Sequence, residues 1–131
     1  MSNKKLNNKG ITIVEAVISM ALLIVLTLVT LSLATSASTA TNNAVLEFRA
    51  SNHTVDYIEL FQESKDEAHF KDLIERVFET EYTVDDNNSI NIIRDGVLTN
   101  ILIIGKAAII KCYAEYKPDM LLYEYTYWKG E

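Results

Sequence analysis

The hydrophobic pattern divides the chain into a long helical N-terminal part and a shorter C-terminal part made of strands. Residues 11–95 contain neither glycine nor proline, so no strong helix breaker interrupts this stretch. Between Ala16 and Ala34 the only polar residues are two serines and two threonines. About 20 consecutive apolar residues are enough for a helix to cross the hydrocarbon of a bilayer. The first half of the helix is therefore predicted to be apolar all round and to span a membrane.

The second half of this helix, up to about Phe61, is predicted to be amphipathic. Apolar or small residues recur at intervals of four, three, four and three, which places them on one helical stripe. These residues are Ala44, Phe48, Ser51, Val55 and Ile58. We expect this stripe to pack on a globular head.

A second, shorter helix is predicted to begin at the capping box Ser64-Lys-Asp-Glu67. Its apolar face consists of Phe70, Leu73, Ile74, Val77 and Phe78. Oppositely charged residues lie four apart on the other side, as Glu67 with Lys71 and Asp72 with Arg76, so this side is expected to face solvent. The polar residues 85–89 are predicted to form a loop.

The rest of the chain is predicted to form a four-stranded antiparallel meander. Turn signals occur at Asp95-Gly96, Gly105-Lys106 and Pro118-Asp119. They delimit strands near residues 89–94, 97–104, 107–117 and 120–128. A long helix beside such a sheet makes the expected fold class α+β.

Two-residue turns also predict the register of the strands. Ile90 should face Ile101, Ile101 should face Ile110, and Ile110 should face Tyr127. In this register one face of the sheet is almost wholly apolar and includes Cys112, as a sheet packed on a helix requires. A slip by one residue would scatter that face.

The charge of the chain is unevenly distributed. Residues 1–10 carry three lysines and no acidic residue, and the remainder carries nine basic and eighteen acidic residues. A basic flank before an apolar helix predicts that the N-terminus stays in the cytoplasm and that the body is exported. Because phosphate binding needs clustered basic residues, no direct nucleic-acid binding is predicted.

No group of residues in the sequence suggests catalysis, a metal site or a cofactor. His53 and His69 fall on different predicted helices, and the single cysteine, Cys112, excludes an intrachain disulfide. The phosphate-binding and zinc-protease motifs are missing, so an enzyme is the least favoured class. The C-terminal hairpin is rich in tyrosine, which favours cross-strand packing. Tyr113 and Trp128 are the candidate partner surface, because aromatic residues are enriched at interfaces.

Glu15 is the one charged residue between Ile11 and Leu46. A carboxylate within a membrane segment costs on the order of a few kcal/mol unless a cation neutralises it. The stretch Lys9-Gly10-Ile11-Thr-Ile-Val-Glu15 resembles the cleavage motif of type IV pilins and pseudopilins. In that family a short basic leader ends in glycine, a dedicated peptidase cuts after it, the new N-terminus is methylated, and the fifth mature residue is glutamate.

The resemblance implies cleavage between Gly10 and Ile11 and methylation of Ile11. It also implies that Glu15 matches an incoming subunit to the growing end of a fibre. Ile11 departs from the more usual Phe or Met. The chain also lacks the helix-kinking proline and the paired cysteines of many major pilins. These departures favour a minor pilin or a pseudopilin. A long N-terminal helix packed on a four-stranded antiparallel sheet is also the architecture of that family.

The resemblance assigns residues 1–10 to a leader peptide, 11–40 to the membrane and polymerisation half of the helix, and 41–131 to an extracytoplasmic head. It implies four partners: a prepilin peptidase, other pilin subunits, the assembly machinery of the cytoplasmic membrane, and lipid. The protein would span that membrane once and then enter a surface pilus or pseudopilus. The alternatives are a membrane-anchored adhesin or receptor that never polymerises, and a soluble domain released by signal peptidase near residues 37–41.

Overall fold

The computed structural model describes the backbone of residues 8–130 and the side chains of residues 12–130. Within this range the fold is α+β, with two helices followed by five antiparallel strands. The helices are α1 (Asn8–Glu63) and α2 (Glu67–Phe78). The strands are β1 (Tyr82–Val84), β2 (Ile90–Arg94), β3 (Val97–Ile104), β4 (Ala107–Ala114) and β5 (Lys117–Trp128). Contacts divide the chain into two compact units, one up to Thr41 and one from Asn42 onward.

The first unit is the apolar part of α1, and its side chains are uncovered. Every large hydrophobic residue from Ile13 to Leu33 is between 51% and 69% exposed. Threonine hydroxyls along this part donate to the carbonyl four residues earlier at 2.7–3.1 Å, so they need no water. The helix is long and apolar enough to cross a membrane, which confirms the predicted apolar N-terminal helix.

In the second unit, the face of α1 that packs on the sheet differs from the face predicted from the sequence. Phe48 is 68% exposed and Val55 is 52% exposed, so the predicted stripe is wrong at these two residues, although Ile58 packs against the core as predicted. The buried residues are Ala50, His53, Thr54, Tyr57, Leu60 and Phe61. Thr54 is compatible with burial because its hydroxyl donates to the Ala50 carbonyl at 2.8 Å. Local hydrogen bonds therefore allow a more polar stripe to be the inner one.

The helix α2 begins slightly later than the predicted capping box. Its N-cap is Asp66, whose carboxylate accepts from the His69 N–H at 2.8 Å. Ser64 is buried at the end of α1 and donates to the Phe61 carbonyl at 2.7 Å. A serine hydroxyl can donate to a carbonyl of the preceding helix instead of accepting from an N–H of the next one. Ser64 does the former, so the N-cap of α2 is Asp66 and not Ser64.

Most of the predicted apolar face of α2 is buried, and its predicted ion pairs lie on the solvent side. Phe70 and Ile74 are buried, and Phe70 meets Phe61 edge-on with ring centroids 5.7 Å apart. Val77, predicted on the apolar face, is 55% exposed. On the solvent side, the predicted ion pairs Lys71–Glu67 and Arg76–Asp72 form at 2.7 and 3.0 Å.

The sheet has the order β1-β2-β3-β4-β5, so the predicted count of four strands is wrong. The additional strand is β1, which places Tyr82 opposite Ile92. With three residues beside an acidic loop, β1 is too short to show an alternating pattern. The predicted pairs Ile90–Ile101 and Ile101–Ile110 are confirmed.

The turn between β2 and β3 follows the predicted hairpin geometry. Asp95 and Gly96 have φ values of 52° and 79°. Two consecutive left-handed residues are what a two-residue hairpin loop of type I′ requires. The Asp-Gly pair therefore fixes the register of β2 against β3.

The last hairpin differs from the prediction. Its turn lies at Glu115-Tyr116, and Pro118-Asp119 belongs to β5. Ile110 consequently faces Tyr125 and not Tyr127. The shift is two residues, so the same side chains still face the core. The pairing of β4 with β5 is irregular beside Tyr113, where β5 has more residues than β4. Pro118 has no N–H to donate, and such an irregular part of an edge strand tolerates it.

Candidate assembly and binding surfaces

Glu15 lies in the apolar part of α1 with its side chain exposed. Gly10 and Ile11 belong to the same helix, but their side chains lie outside the described residues. Among residues 12–130 no basic group is within ion-pair distance of the Glu15 carboxylate. In this part of the chain the carboxylate therefore stands in an apolar surface without a neutralising partner.

The apolar surface around α1 up to Leu33 is far larger than a soluble monomer exposes. It contains fourteen large hydrophobic residues that are more than half exposed, from Ile13 to Leu33. Exposed apolar patches beyond a few hundred Å² mark contacts with membranes or other proteins. This segment is long and apolar enough to cross a membrane.

The head part of α1 carries a second uncovered apolar surface. Val45, Phe48 and Val55 are 43%, 68% and 52% exposed. Phe48 and Val55 lie seven residues apart, so they share one face of the helix. The stripe that the sequence assigned to the head core is therefore in part a solvent-facing surface available to a partner.

A cluster of charged residues joins α1 to the turn between β2 and β3. His53 Nε2 lies 3.1 Å from Asp95 Oδ2, and Arg49 donates to the Asp95 carbonyl at 3.0 Å. Arg94 pairs with Asp56 at 3.1 Å. These contacts fix the turn on the helix, so we assign the cluster a structural role.

His53 is buried in this cluster, and its Nδ1 has no hydrogen-bond partner among the described residues. Burial, and secondarily the charge of Arg94, lower the pKa of His53, while Asp95 and Asp56 act in the opposite direction. The folded head therefore favours the neutral imidazole.

Because folding lowers this pKa, the head should lose stability as the pH falls below about 6.5, the ordinary pKa of histidine in the unfolded chain. Above that value both states carry a neutral imidazole and the effect vanishes. Urea denaturation of residues 42–131 between pH 5 and pH 8 measures it. A His53→Gln variant should show a smaller dependence than the wild type, whereas His69→Gln should retain it. Equal slopes for wild type and His53→Gln would contradict the assignment.

The other residues considered for chemistry occupy structural positions. Cys112 is fully buried on the inner face of the sheet, as predicted, with its sulfur 3.5 Å from the Thr54 hydroxyl. Burial raises the pKa of the Cys112 thiol, which makes it a poor nucleophile. His69 accepts from the Lys65 N–H at 3.1 Å at the start of α2. Within the described residues no group of His, Cys, Asp or Glu could hold a metal ion.

Tyr113 and Trp128 lie on the outer face of the sheet, away from α1, but they are not close together. Tyr113 pairs with Leu121, whereas Trp128 pairs with Ala107 at the other end of β4. Trp128 is 71% exposed and Tyr113 is half-buried. The two residues therefore do not form one surface.

The outer face also carries a shallow groove of about 510 Å³, with Tyr113 among its lining residues, that is not predicted from the sequence. A polar row crosses its floor, with Asn100 donating to Asn91 at 2.8 Å and Lys111 lying 3.4 Å from Glu124. Leu98, Leu102 and Ile109 contribute apolar walls. Polar residues that alternate along strands are typical of a solvent-facing sheet, so a groove at this face is not predictable from the pattern.

No protein-family model, curated protein or solved structure matches this chain. The features of the chain that bear on function are the segment from Gly10 to Glu15, the uncovered apolar part of α1, and the surfaces of the head.

Proposed function

We propose that this chain is a minor pilin or pseudopilin, a structural subunit of a type IV pilus or of a related pseudopilus for secretion or DNA uptake. The observation that carries the proposal is the position of Glu15. Cleavage after Gly10 would make it the fifth residue of an apolar helix that has no covering protein surface. The α+β head with a long N-terminal helix is compatible with such a subunit.

The carboxylate favours a polymer over a simple membrane anchor. Placing an unpaired Glu15 carboxylate in lipid costs on the order of a few kcal/mol of insertion free energy. A simple membrane anchor gains nothing from this residue that would offset the cost. Cleavage would create a cation, the α-amino group of Ile11, which is ordinarily protonated at neutral pH. The Glu15 side chain lies one helical turn from its own N-terminus. In a fibre the N-terminus of a neighbouring subunit can also pair with it, and only that pair links two subunits.

The exposed face of the head helix gives a second reason to expect packing between subunits. Phe48 and Val55 are large, apolar and exposed on a helix whose opposite face is already buried in the head. In a fibre, the helix of a neighbouring subunit would cover them. A non-polymerising anchor would leave them in water.

The alternative function is a membrane-anchored binding domain, and the outer groove with Trp128 is the observation that favours it. Such a domain would display the groove without assembling. The two functions differ in what they require of Glu15, since only assembly needs the carboxylate.

The proposed function predicts that the mature chain begins at Ile11. Glycine has no side chain to obstruct a peptidase, whereas Gly10→Val should block the cut. Intact mass and N-terminal sequencing of protein extracted from membranes measure the start and reveal a methyl group on Ile11. The control is Gly130→Val, a substitution at an open position of the head that should not affect processing. A mature N-terminus near residue 38 or 41 would instead identify a signal-peptidase product and contradict the proposal.

A further inference from the structure

The two edges of the sheet are very different. The edge strand β1 has three residues and lies between Glu81 and Asp85, and a short edge with nearby charges resists pairing with other chains. The other edge strand, β5, has twelve residues. Among the described residues no strand pairs with its outer side.

The last six residues of β5 form a regular and unprotected edge. Residues 123–128 pair in continuous register with residues 112–107 of β4. They contain no proline or glycine and a single charge, Glu124. Tyr125 is 44% exposed and Trp128 is 71% exposed. Natural edge strands usually carry a lysine, a proline or a bulge at such positions, so this edge is open to another strand.

The hydrogen bonding to β4 shows which main-chain groups are available. The Lys129 N–H donates to the Lys106 carbonyl at 2.8 Å, in the same register as the rest of the ladder. Hydrogen-bonded and non-hydrogen-bonded pairs alternate along antiparallel strands. Tyr123, Tyr125 and Tyr127 therefore bond to β4. The N–H and C=O groups of Glu124, Thr126 and Trp128 are directed toward the open edge.

We infer that the open edge of β5 pairs with β5 of a second copy of this chain, antiparallel, with Tyr125 opposite Tyr125 across a two-fold axis. Only registers that place even-numbered residues opposite one another join the available groups of both strands. A register centred on Glu124 would place two carboxylates face to face, which is unfavourable.

The register centred on Tyr125 is self-complementary. Glu124 lies opposite Thr126, Tyr123 lies opposite Tyr127, and no like charges meet. Tyr125 meets its own copy at the centre, so aromatic side chains cover one another along the pair. A register centred on Thr126 would place Trp128 opposite Glu124 and Tyr123 opposite Lys129. The side chains of β5 therefore favour the register centred on Tyr125, and they are compatible with a second copy of the same strand as the partner.

This contact is distinct from packing within a polar fibre. A polar fibre relates its subunits by a screw operation, whereas the β5 pair requires a two-fold axis and the same patch on both copies. The pair therefore joins heads that belong to different fibres or to unassembled copies. A six-residue edge is small for a protein interface, so we expect weak association. The inference does not depend on the proposed function.

Disulfide cross-linking of the full chain in detergent tests the pairing. In the inferred register Tyr125→Cys places two thiols in a non-hydrogen-bonded pair, where Cβ atoms are about 4.5–5.5 Å apart and a disulfide can form. Under mild oxidation we expect a covalent dimer at roughly ten times the yield of Thr126→Cys, whose side chain faces Glu124 of the other copy. The wild type gives the background, because Cys112 is buried.

A proline variant tests whether the main chain makes the contact. Thr126→Pro removes an N–H directed at the open edge and leaves the bonds to β4 intact, as prolines in edge strands do. Combined with Tyr125→Cys it should reduce cross-linking to the wild-type background, whereas Thr126→Val should not. Slow labelling of Cys112 by a thiol reagent verifies the fold of each variant. If the proline variant does not fold, the comparison of the two cysteine variants decides alone.

Three results would overturn the inference. Equal cross-linking at positions 125 and 126 would show random collision, and stronger cross-linking at 126 would show a different register. A Tyr125→Cys product that contains another protein and no dimer would show that a different polypeptide occupies the edge.

Discussion

A Glu15→Val variant should be absent from sheared fibres while it is synthesised, cleaved and inserted into the membrane. Cleavage and insertion depend on Gly10 and on the apolar helix, which the substitution makes more apolar. Assembly depends on the pairing of Glu15 with the α-amino group of Ile11 on a neighbouring subunit. Two unlike charges about 4 Å apart gain about 4 kcal/mol at an effective dielectric near 20, before desolvation is subtracted. Even a third of that energy corresponds to about a tenfold change in incorporation.

The measurement is the ratio of this protein in the sheared-fibre and membrane fractions. Ser19→Val is the matched control, because it lies one helical turn further along the same exposed face and carries no charge. It should enter fibres at the wild-type level. Incorporation of Glu15→Val equal to that of Ser19→Val would contradict the ion pair. Absence of the wild-type protein from fibres would favour the non-polymerising anchor.

The parts of the fold that the sequence predicts are those governed by local chemistry. The apolar run after Glu15 has the same character on every side, so no choice of face is needed to recognise it. Asp95-Gly96 supplies the two left-handed residues of its turn without help from the rest of the chain. Both features are present in the structure as predicted.

The predictions fail where the outcome depends on contacts between distant segments. Pro118 looks like a turn residue, yet a turn at Glu115-Tyr116 shifts β5 by two residues and keeps the same tyrosines on the core face. Both registers satisfy the hydrophobic pattern, so the pattern cannot choose between them. β1 is a strand because β2 lies beside it and not because of its own three residues.

The candidate surfaces also divide into those that follow from local sequence and those that depend on the whole fold. Glu15 can be identified from the sequence because a single charge in an apolar run is conspicuous. The open edge of β5 cannot, because a strand becomes an edge only through the order of the whole sheet. The rotation of α1 on the head is also decided by tertiary packing, and it can be tested by substitution.

Tyr57→Ala should destabilise the head by about 3–5 kcal/mol, the usual cost of removing a buried aromatic ring. Tyr57 is fully buried and meets Phe78 edge-on, with ring centroids 5.4 Å apart. Phe48→Ala is the matched control, because Phe48 lies on the opposite, exposed face of the same helix. It should cost less than about 1 kcal/mol. Urea denaturation of residues 42–131 measures both changes.

The hydroxyl of Tyr57 makes a third variant informative. Burial raises the pKa of Tyr57 to about 12, and its oxygen has no hydrogen-bond partner among the described residues. A buried polar group without a partner costs about 1–3 kcal/mol, so Tyr57→Phe should leave the head as stable as the wild type or more stable. A clear loss of stability in Tyr57→Phe would show that the hydroxyl bonds to a buried water. A larger loss in Phe48→Ala than in Tyr57→Ala would show that the stripe predicted from the sequence is the one that packs on the sheet.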